Sequence, residues 1–434
     1  MNGKRRKIVA FIYFLLICPL FVEAIKKIYQ WQQKAVGKEA NIIIDASSPG
    51  GEINQKLWQN FSQGGEEDKD MLEPIVYKLR ALKPQLIRID HVFDRYQLFQ
   101  KNGSLDFSHL DKTVQTILKA GAKPMFSLSY IPSSLSIDGQ VTSPPKDWII
   151  WQELVSALVE HYSGKNNLNI TEIYYEVYNE PDLFGNWHYD KDPNYLTLYF
   201  HTATGAQKAR QVNPYKIGGP ATTSFYPNWI KALIDFCQKN NLPLDFISWH
   251  RYSPNLDDYD QDLNQLISIL TNYPQYQQAE RLITEFGPGS EKVSWYENRV
   301  GAVQAIAVSS YLLDKAHRIF AFEIKDGPEK LTSSWGMMNH ENSGALPKPR
   351  WNAYVFLNQL KGKRLPLEGN GRWVSGVAAK DNREIKVLLV NFDPQQKHQE
   401  YVPVRIQNLV SSQYQVSLDS VSYTHLTLPT ILRV

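Results

Sequence analysis

The chain has 434 residues, 43% of them hydrophobic and 21% charged, an ordinary globular composition that argues against widespread disorder and is too long for one small domain. Residues 1–40 hold eight Lys and Arg against two Glu, so of the net +3 the remaining body carries −3 and offers no basic stripe for nucleic acid. Aromatics make up 12%, with 11 Trp and 24 Tyr, which suits stacking on sugar rings as well as it suits large aromatic cores.

In chain order, Lys4-Arg5-Arg6-Lys7 precedes an apolar run from Ile8 to Val22. A basic cluster before such a run keeps the N-terminus cytoplasmic while the rest crosses. Fifteen residues stand between a signal-peptide core and a short membrane span. Lys26-Lys27 after Val22-Glu23-Ala24 disfavours cleavage, so residues 1–40 are expected to be a signal anchor, with a cleaved signal peptide as the alternative. Either way the body is expected outside the cytoplasmic membrane, anchored or secreted. The two cysteines, Cys18 and Cys237, cannot build a disulfide framework, and Cys237 reads as a small buried hydrophobe.

Asn41–Ala46 reads as a short strand standing apart from the repeating units. From Leu57 strands and helices alternate. Strands are expected at Leu57–Ser62, Leu86–Asp90, Pro124–Leu128, Glu172–Tyr178, Lys216–Gly219, Asp245–Trp249, Arg281–Glu285 and Arg318–Glu323. Helical spacing marks Met71–Leu82, the stripe Leu110, Val114, Ile117 and Leu118, then Trp148–His161, Tyr195–Val212, Trp229–Gln238, Val300–Asp314 and Trp351–Leu360. Eight strands separated by helices predict an α/β fold, a (β/α)8 barrel over residues 41–361. An open doubly wound sheet would show a Gly-rich phosphate turn, and none is present. From Gly362 strands only remain, at Arg372–Ala379, Glu384–Asn391, Tyr401–Ile406 and Tyr414–Leu418, which predicts a β-sandwich over 362–420. Residues 421–434 do not extend the pattern and read as a non-native tail.

Two segments carry the chemistry: Glu176-Val177-Tyr178-Asn179-Glu180-Pro181-Asp182 on the fourth barrel strand and Ile283-Thr284-Glu285-Phe286-Gly287 on the seventh. Each ends a strand on a glutamate beside a turn, where barrels keep their active sites. Paired carboxylates suit glycosidic bond cleavage, one protonating the leaving oxygen and the other attacking the sugar. Burial and a neighbouring carboxylate would both raise the pKa of an acid at Glu180. The ten histidines form no His-Glu-x-x-His or Cys/His pattern, so neither a metal nor a cofactor is expected. Gly-x-Ser-x-Gly is missing, which removes a serine hydrolase.

Asn-Glu-Pro after the fourth strand and Thr-Glu-Phe at the seventh resemble clan A glycoside hydrolases. Tyr175–Trp187 is similar to family 39, the β-xylosidase and α-L-iduronidase family. Tyr130-Ile131-Pro132-Ser133-Ser134-Leu135, Gly218-Gly219-Pro220-Ala221, Ser248-Trp249-His250-Arg251-Tyr252 and Lys348-Pro349-Arg350-Trp351-Asn352-Ala353 agree with it. The resemblance implies Glu180 as acid/base, Glu285 as nucleophile and Asn179 on the sugar 2-hydroxyl. It also implies His250 and Tyr252 near the nucleophile, Tyr252 holding it ionised, and Arg88 pairing with its charge.

The chain departs from that pattern in several places. Tyr178 and Phe286 stand where Trp is usual, and Asp90 stands where the family has a sugar-binding His. Lys325 lies on the eighth strand where Trp is expected near the site, and Trp335 is the candidate substitute for that ring, with core or loop packing as its alternative. Trp187, Trp335 and Asp90 complete the expected substrate-binding set, and Asp90 and Lys325 are expected in the sugar pocket. The expected function is a retaining hydrolase of extracellular oligo- or polysaccharide, exo-acting and xylosidase-like. An endo-acting glycanase and a silent surface carbohydrate-binding barrel are the alternatives.

Overall fold

The computed structural model describes residues 38–433, apart from residues 66, 68, 292, 329–334, 383, 411–414 and 424–425. The basic cluster and apolar run at Ile8–Val22 lie outside the described residues. Among the described residues no helix is long and apolar enough to cross a membrane.

After strand β1 (Ile42–Asp45), eight parallel strands close a barrel: β2 (Asn60–Gln63), β3 (Leu86–Ile89), β4 (Lys123–Ser127), β5 (Tyr174–Glu176), β6 (Lys216–Thr222), β7 (Phe246–Tyr252), β8 (Glu280–Gly287) and β9 (Arg318–Phe322). Each overlaps a strand read from the sequence. The first crossover departs from the helix expected there, because Pro74 and a left-handed Lys83 confine residues 73–82 to one short α-turn between 3-10 turns. A helix at Leu256–Leu270, capped by Asn255 accepting from the Asp257 N–H, was not read, its apolar positions being diluted by Asp257, Asp258, Asp260 and Asp262.

Leu86, Met125, Tyr174, Phe246, Leu282 and Phe320 fill the barrel interior below the strand ends, making a packed plug rather than a pore. The larger core lies between barrel and helices and includes Trp151, Tyr199 and Trp249. Cys237 is buried and free.

Beyond the barrel lie β10 (Lys363–Leu365), β11 (Leu367–Glu368), β12 (Val374–Lys380), β13 (Ile385–Asn391), β14 (Val404–Gln407), β15 (Ser417–Tyr423) and β16 (Leu426–Arg433). They form two sheets, ordered β11-β1-β14 and β10-β12-β13-β16-β15. Ile42, Ile44, Leu365, Val374, Ala378, Ile385 and Val387 form one apolar cluster drawn from both sheets. β1, read from the sequence as a strand standing apart from the repeating units, pairs with β14 and β11 and so sits with the C-terminal sheets. Within residues 421–434, β16 lies antiparallel to β13.

Candidate active site

Period-two alternation fixes which side chains face the barrel axis. On β5, Tyr174 is in the interior plug, so Glu176 shares its face. On β3, Leu86 is in the plug and Arg88 shares its face. On β7, Phe246 sets the face that Ser248, His250 and Tyr252 follow. β8 would break the pattern, because Leu282 faces inward and Glu285 is three residues on. The register against β7 slips: Ile283 pairs with Trp249, but Glu285 pairs with His250. Thr284 is the extra residue of a β-bulge, and the bulge re-aims Glu285 inward.

Behind the other glutamate stands the Gly218-Gly219-Pro220-Ala221 segment of β6. A Cβ on Gly219 would lie 2.4 Å from the Tyr195 hydroxyl, which donates to the Val177 carbonyl at 2.9 Å. The Val177 N–H bonds the Gly218 carbonyl at 2.8 Å, and the Glu180 N–H bonds the Ala221 carbonyl at 2.9 Å. Glu180 is thereby held at φ +46°, a left-handed conformation that glutamate rarely adopts. Strain of this kind, about 1–3 kcal/mol, persists where surroundings over-determine a position.

Arg88, 1% exposed, ties the floor together. Its Nε donates to Glu176 Oε2 at 2.6 Å, Nη1 to Glu285 Oε1 at 2.7 Å and Nη2 to Asn179 Oδ1 at 2.7 Å. Burial works against its charge, but Glu176 and Glu285 outweigh that and hold its pKa above the usual arginine value. Asn179 Nδ2 donates to the Tyr130 hydroxyl at 3.1 Å, leaving its second amide hydrogen for a ligand. The Tyr252 hydroxyl donates to Glu285 Oε2 at 2.6 Å. His250 Nδ1 lies 2.8 Å from Glu180 Oε1 and 3.4 Å from Glu285 Oε2, so it bridges both carboxylates, whereas the sequence placed it with the nucleophile alone.

Burial is the first cause of the raised pKa of Glu285; His250 and Arg88 pull it down, Glu180 pushes it up and Tyr252 lowers it. Burial, then the charge of Glu285, keeps the Tyr252 phenol far above its normal range and so a donor at every working pH. His250 is raised: burial opposes its charge, and the two glutamates more than compensate.

A cavity of about 730 Å3 opens above this floor, lined among others by Asp90, Asn179, Glu180, Tyr252, Glu285 and Trp335. Of the residues assigned from sequence, Arg88 and His250 are fully buried beneath it. Two expectations are corrected. Trp187 is 1% exposed and packs edge-on behind Tyr178, ring centroids 5.6 Å apart, away from the cavity. Lys325 is also buried and turned away, bonding Glu341 and lying 3.6 Å from Glu67. Glu67, His340 and Glu341 bring ligand atoms within 4.8 Å of one another, as do Glu180, His250 and Glu285. Lys325 and Lys69 already lie on the carboxylates of the first group. The sequence also missed Glu176, fully buried with Oε1 unpartnered among the described residues; its alternation with Tyr174 carried the signal.

The model of the glycosyl hydrolases family 39 matches residues 75–410. The chain belongs to that family. A beta-xylosidase of Caldicellulosiruptor saccharolyticus is 24% identical over 321 residues, 67% of this chain and 64% of its own. One from Geobacillus stearothermophilus is 24% identical over 298 residues, 61% of this chain and 58% of its own. The chain thus spans less than two thirds of either relative. In fold it is similar to a monomeric beta-xylosidase from Caulobacter crescentus CB15, TM-score 0.71 at 20% identity, covering 86% of this chain and 84% of that one.

If Glu285 must be ionised to act, removing the Tyr252 hydroxyl has a signed consequence. The hydrogen bond favours the carboxylate, so Tyr252→Phe raises the Glu285 pKa and moves the acid limb of kcat/KM to higher pH. On that limb the variant should lose about 10- to 100-fold. A pH profile measured beside wild type checks this; an unmoved limb would show that Tyr252 does not tune the ionisation of Glu285.

Proposed function

We propose that this family 39 chain is a retaining glycoside hydrolase that works by double displacement. Glu285 attacks the anomeric carbon while Glu180 protonates the departing glycosidic oxygen. Water, deprotonated by Glu180, then releases the sugar from Glu285. The observation that carries this is spacing: one oxygen of Glu180 and one of Glu285 lie within 4.8 Å of each other and of a nitrogen of His250. Retaining enzymes hold their carboxyl groups about 5–5.5 Å apart, whereas inverting enzymes leave about 6.5–9.5 Å for an intervening water. His250 touches both carboxylates, so it orients the acid and the nucleophile together.

The unshared amide hydrogen of Asn179 is placed to meet the sugar 2-hydroxyl, a contact that strengthens in the transition state. Leu183, Phe184, Tyr226 and Trp335 line the cavity around the glutamates, which supports a pocket for one chain end and hence exo action. The two beta-xylosidase relatives support a xylosidase-like substrate. Export of the body is part of the same reading, supported by Lys4-Arg5-Arg6-Lys7 before the apolar run Ile8–Val22. A fused periplasmic reporter enzyme that stays silent would remove export.

The test is turnover of a panel of aryl glycosides by the full chain, with proton NMR of the first-formed sugar. Release with the substrate's own anomeric configuration is expected. Net inversion would overturn the double displacement, and silence across the panel would overturn exo-hydrolysis.

A further inference from the structure

One carboxylate in the cavity has no part in that mechanism. Asp90 follows β3, continuing the inward alternation of Leu86 and Arg88, and it lines the cavity beside Tyr130, Asn179, Glu180 and Glu285. It is 9% exposed, and its Oδ1 is buried with no hydrogen-bond partner among the described residues. Three neighbouring donors are engaged elsewhere. Arg88 gives its three hydrogen bonds to Glu176, Glu285 and Asn179. His91 Nδ1 pairs with Asp94 Oδ2 at 2.9 Å, and Arg251 grips Asp262 through two bonds. A buried carboxylate left unpaired at the wall of a cavity is an acceptor awaiting a donor from the ligand.

We infer that Asp90 is the group by which this site chooses its sugar. It accepts hydrogen bonds from adjacent hydroxyls of a neutral glycone and rejects a glycone bearing its own carboxylate. The inference rests on the glycosidase reading above and names the substrate class for it. Two carboxylate oxygens match the spacing of two vicinal hydroxyls, and an acceptor-only group requires donors. The cavity is lined by Asp90, Glu180, Glu285 and Glu291 and also by His91, Arg95 and Arg251, so the discrimination is local: a sugar acid whose carboxylate takes the place of a hydroxyl on Asp90 meets a like charge there. Such repulsion discriminates as effectively as an attractive contact. A site built to bond a hydroxyl also rejects the analogue that lacks it, because its own polar group is then left unpaired.

The experiment compares wild type with Asp90→Asn, which keeps size and shape, on four probes. They are an aryl β-xyloside, its 3- and 4-deoxy analogues, and an aryl glucuronide. Wild type should prefer the xyloside to the glucuronide. Asp90→Asn should lose about 10- to 100-fold in kcat/KM on the xyloside, the range of a hydrogen bond to a charged group. On each deoxy analogue, which lacks one of the two partner hydroxyls, the loss caused by Asp90→Asn should shrink several-fold relative to the xyloside, the signature of a shared contact. Equal xyloside turnover by both proteins, or a wild-type preference for the glucuronide, overturns the inference while leaving the hydrolase reading intact. If wild type turns over no aryl glycoside, the exo-hydrolase reading fails. The inference is then read from calorimetric binding of D-xylose and D-glucuronate: weaker xylose binding by Asp90→Asn supports it, and equal binding overturns it.

Discussion

Glu285→Gln should reduce turnover of an aryl glycoside about ten-thousand-fold or more, the scale on which enzymes lose activity with their nucleophile. The substitution keeps the shape and one acceptor oxygen, enough for Arg88 Nη1, while the new amide group can donate to the Tyr252 oxygen in place of accepting from it. What disappears is the anionic oxygen that forms the bond to the anomeric carbon. A 2-deoxy-2-fluoro glycoside, which slows breakdown of the covalent intermediate, should label wild type at Glu285 and leave the variant unlabelled by mass spectrometry. Unchanged turnover by Glu285→Gln, or label on Glu180 instead, would remove Glu285 from the nucleophile's role.

Arg88→Met should be the most damaging single change to the fold of the site. It removes one cation from among Glu176, which is fully buried, and Glu285, which is 5% exposed. Breaking a buried pair from one side costs about 3–5 kcal/mol, because the remaining charge is left without compensation. Here two carboxylates and the Asn179 carbonyl lose their donor together. The unfolding midpoint in urea should fall accordingly, and activity should fall with it, since Glu285 would lose the charge that favours its ionised form. A second variant separates the two effects. Arg88→Met with Glu176→Gln removes one orphaned charge and should recover part of the midpoint, yet it should recover no activity, because Glu285 still lacks the Arg88 cation. A stability within about 1 kcal/mol of wild type for Arg88→Met would show that water reaches this floor and screens it.

Most of the site was legible because its signals are local. A glutamate closing a β-branched or aromatic run before Pro181, and another before Phe286-Gly287, mark strand ends in a barrel whatever the rest of the fold does. Arg88 entered instead through the resemblance to family 39, carried over to the end of an apolar strand. Trp187 and Lys325 were misplaced because a motif gives a residue's position along the chain but not the side toward which it turns. Trp187 turns beneath Tyr178, and Lys325 turns to Glu341 and Glu67. Glu176 was overlooked although its two-residue alternation with Tyr174 places it inside; the Asn-Glu-Pro turn at Glu180, four residues on, is the louder local signal.

The amino-acid sequence by itself determined the barrel, its eight strands and the two strands that present glutamates. Those arise from hydrophobic periodicity and turn residues that neighbours along the chain supply. Tertiary structure alone decided the direction of Glu285. By strict alternation from Leu282 it would face the helices, and the bulge at Thr284 turns it to the axis opposite His250. A bulge is a mismatch in count between two paired strands, here β7 and β8, so neither strand announces it alone. The same holds for β1, whose partners β11 and β14 lie more than three hundred residues away in the chain. Pairing across such a distance is settled by which buried faces fit once the barrel is closed, and no local stretch of residues records that.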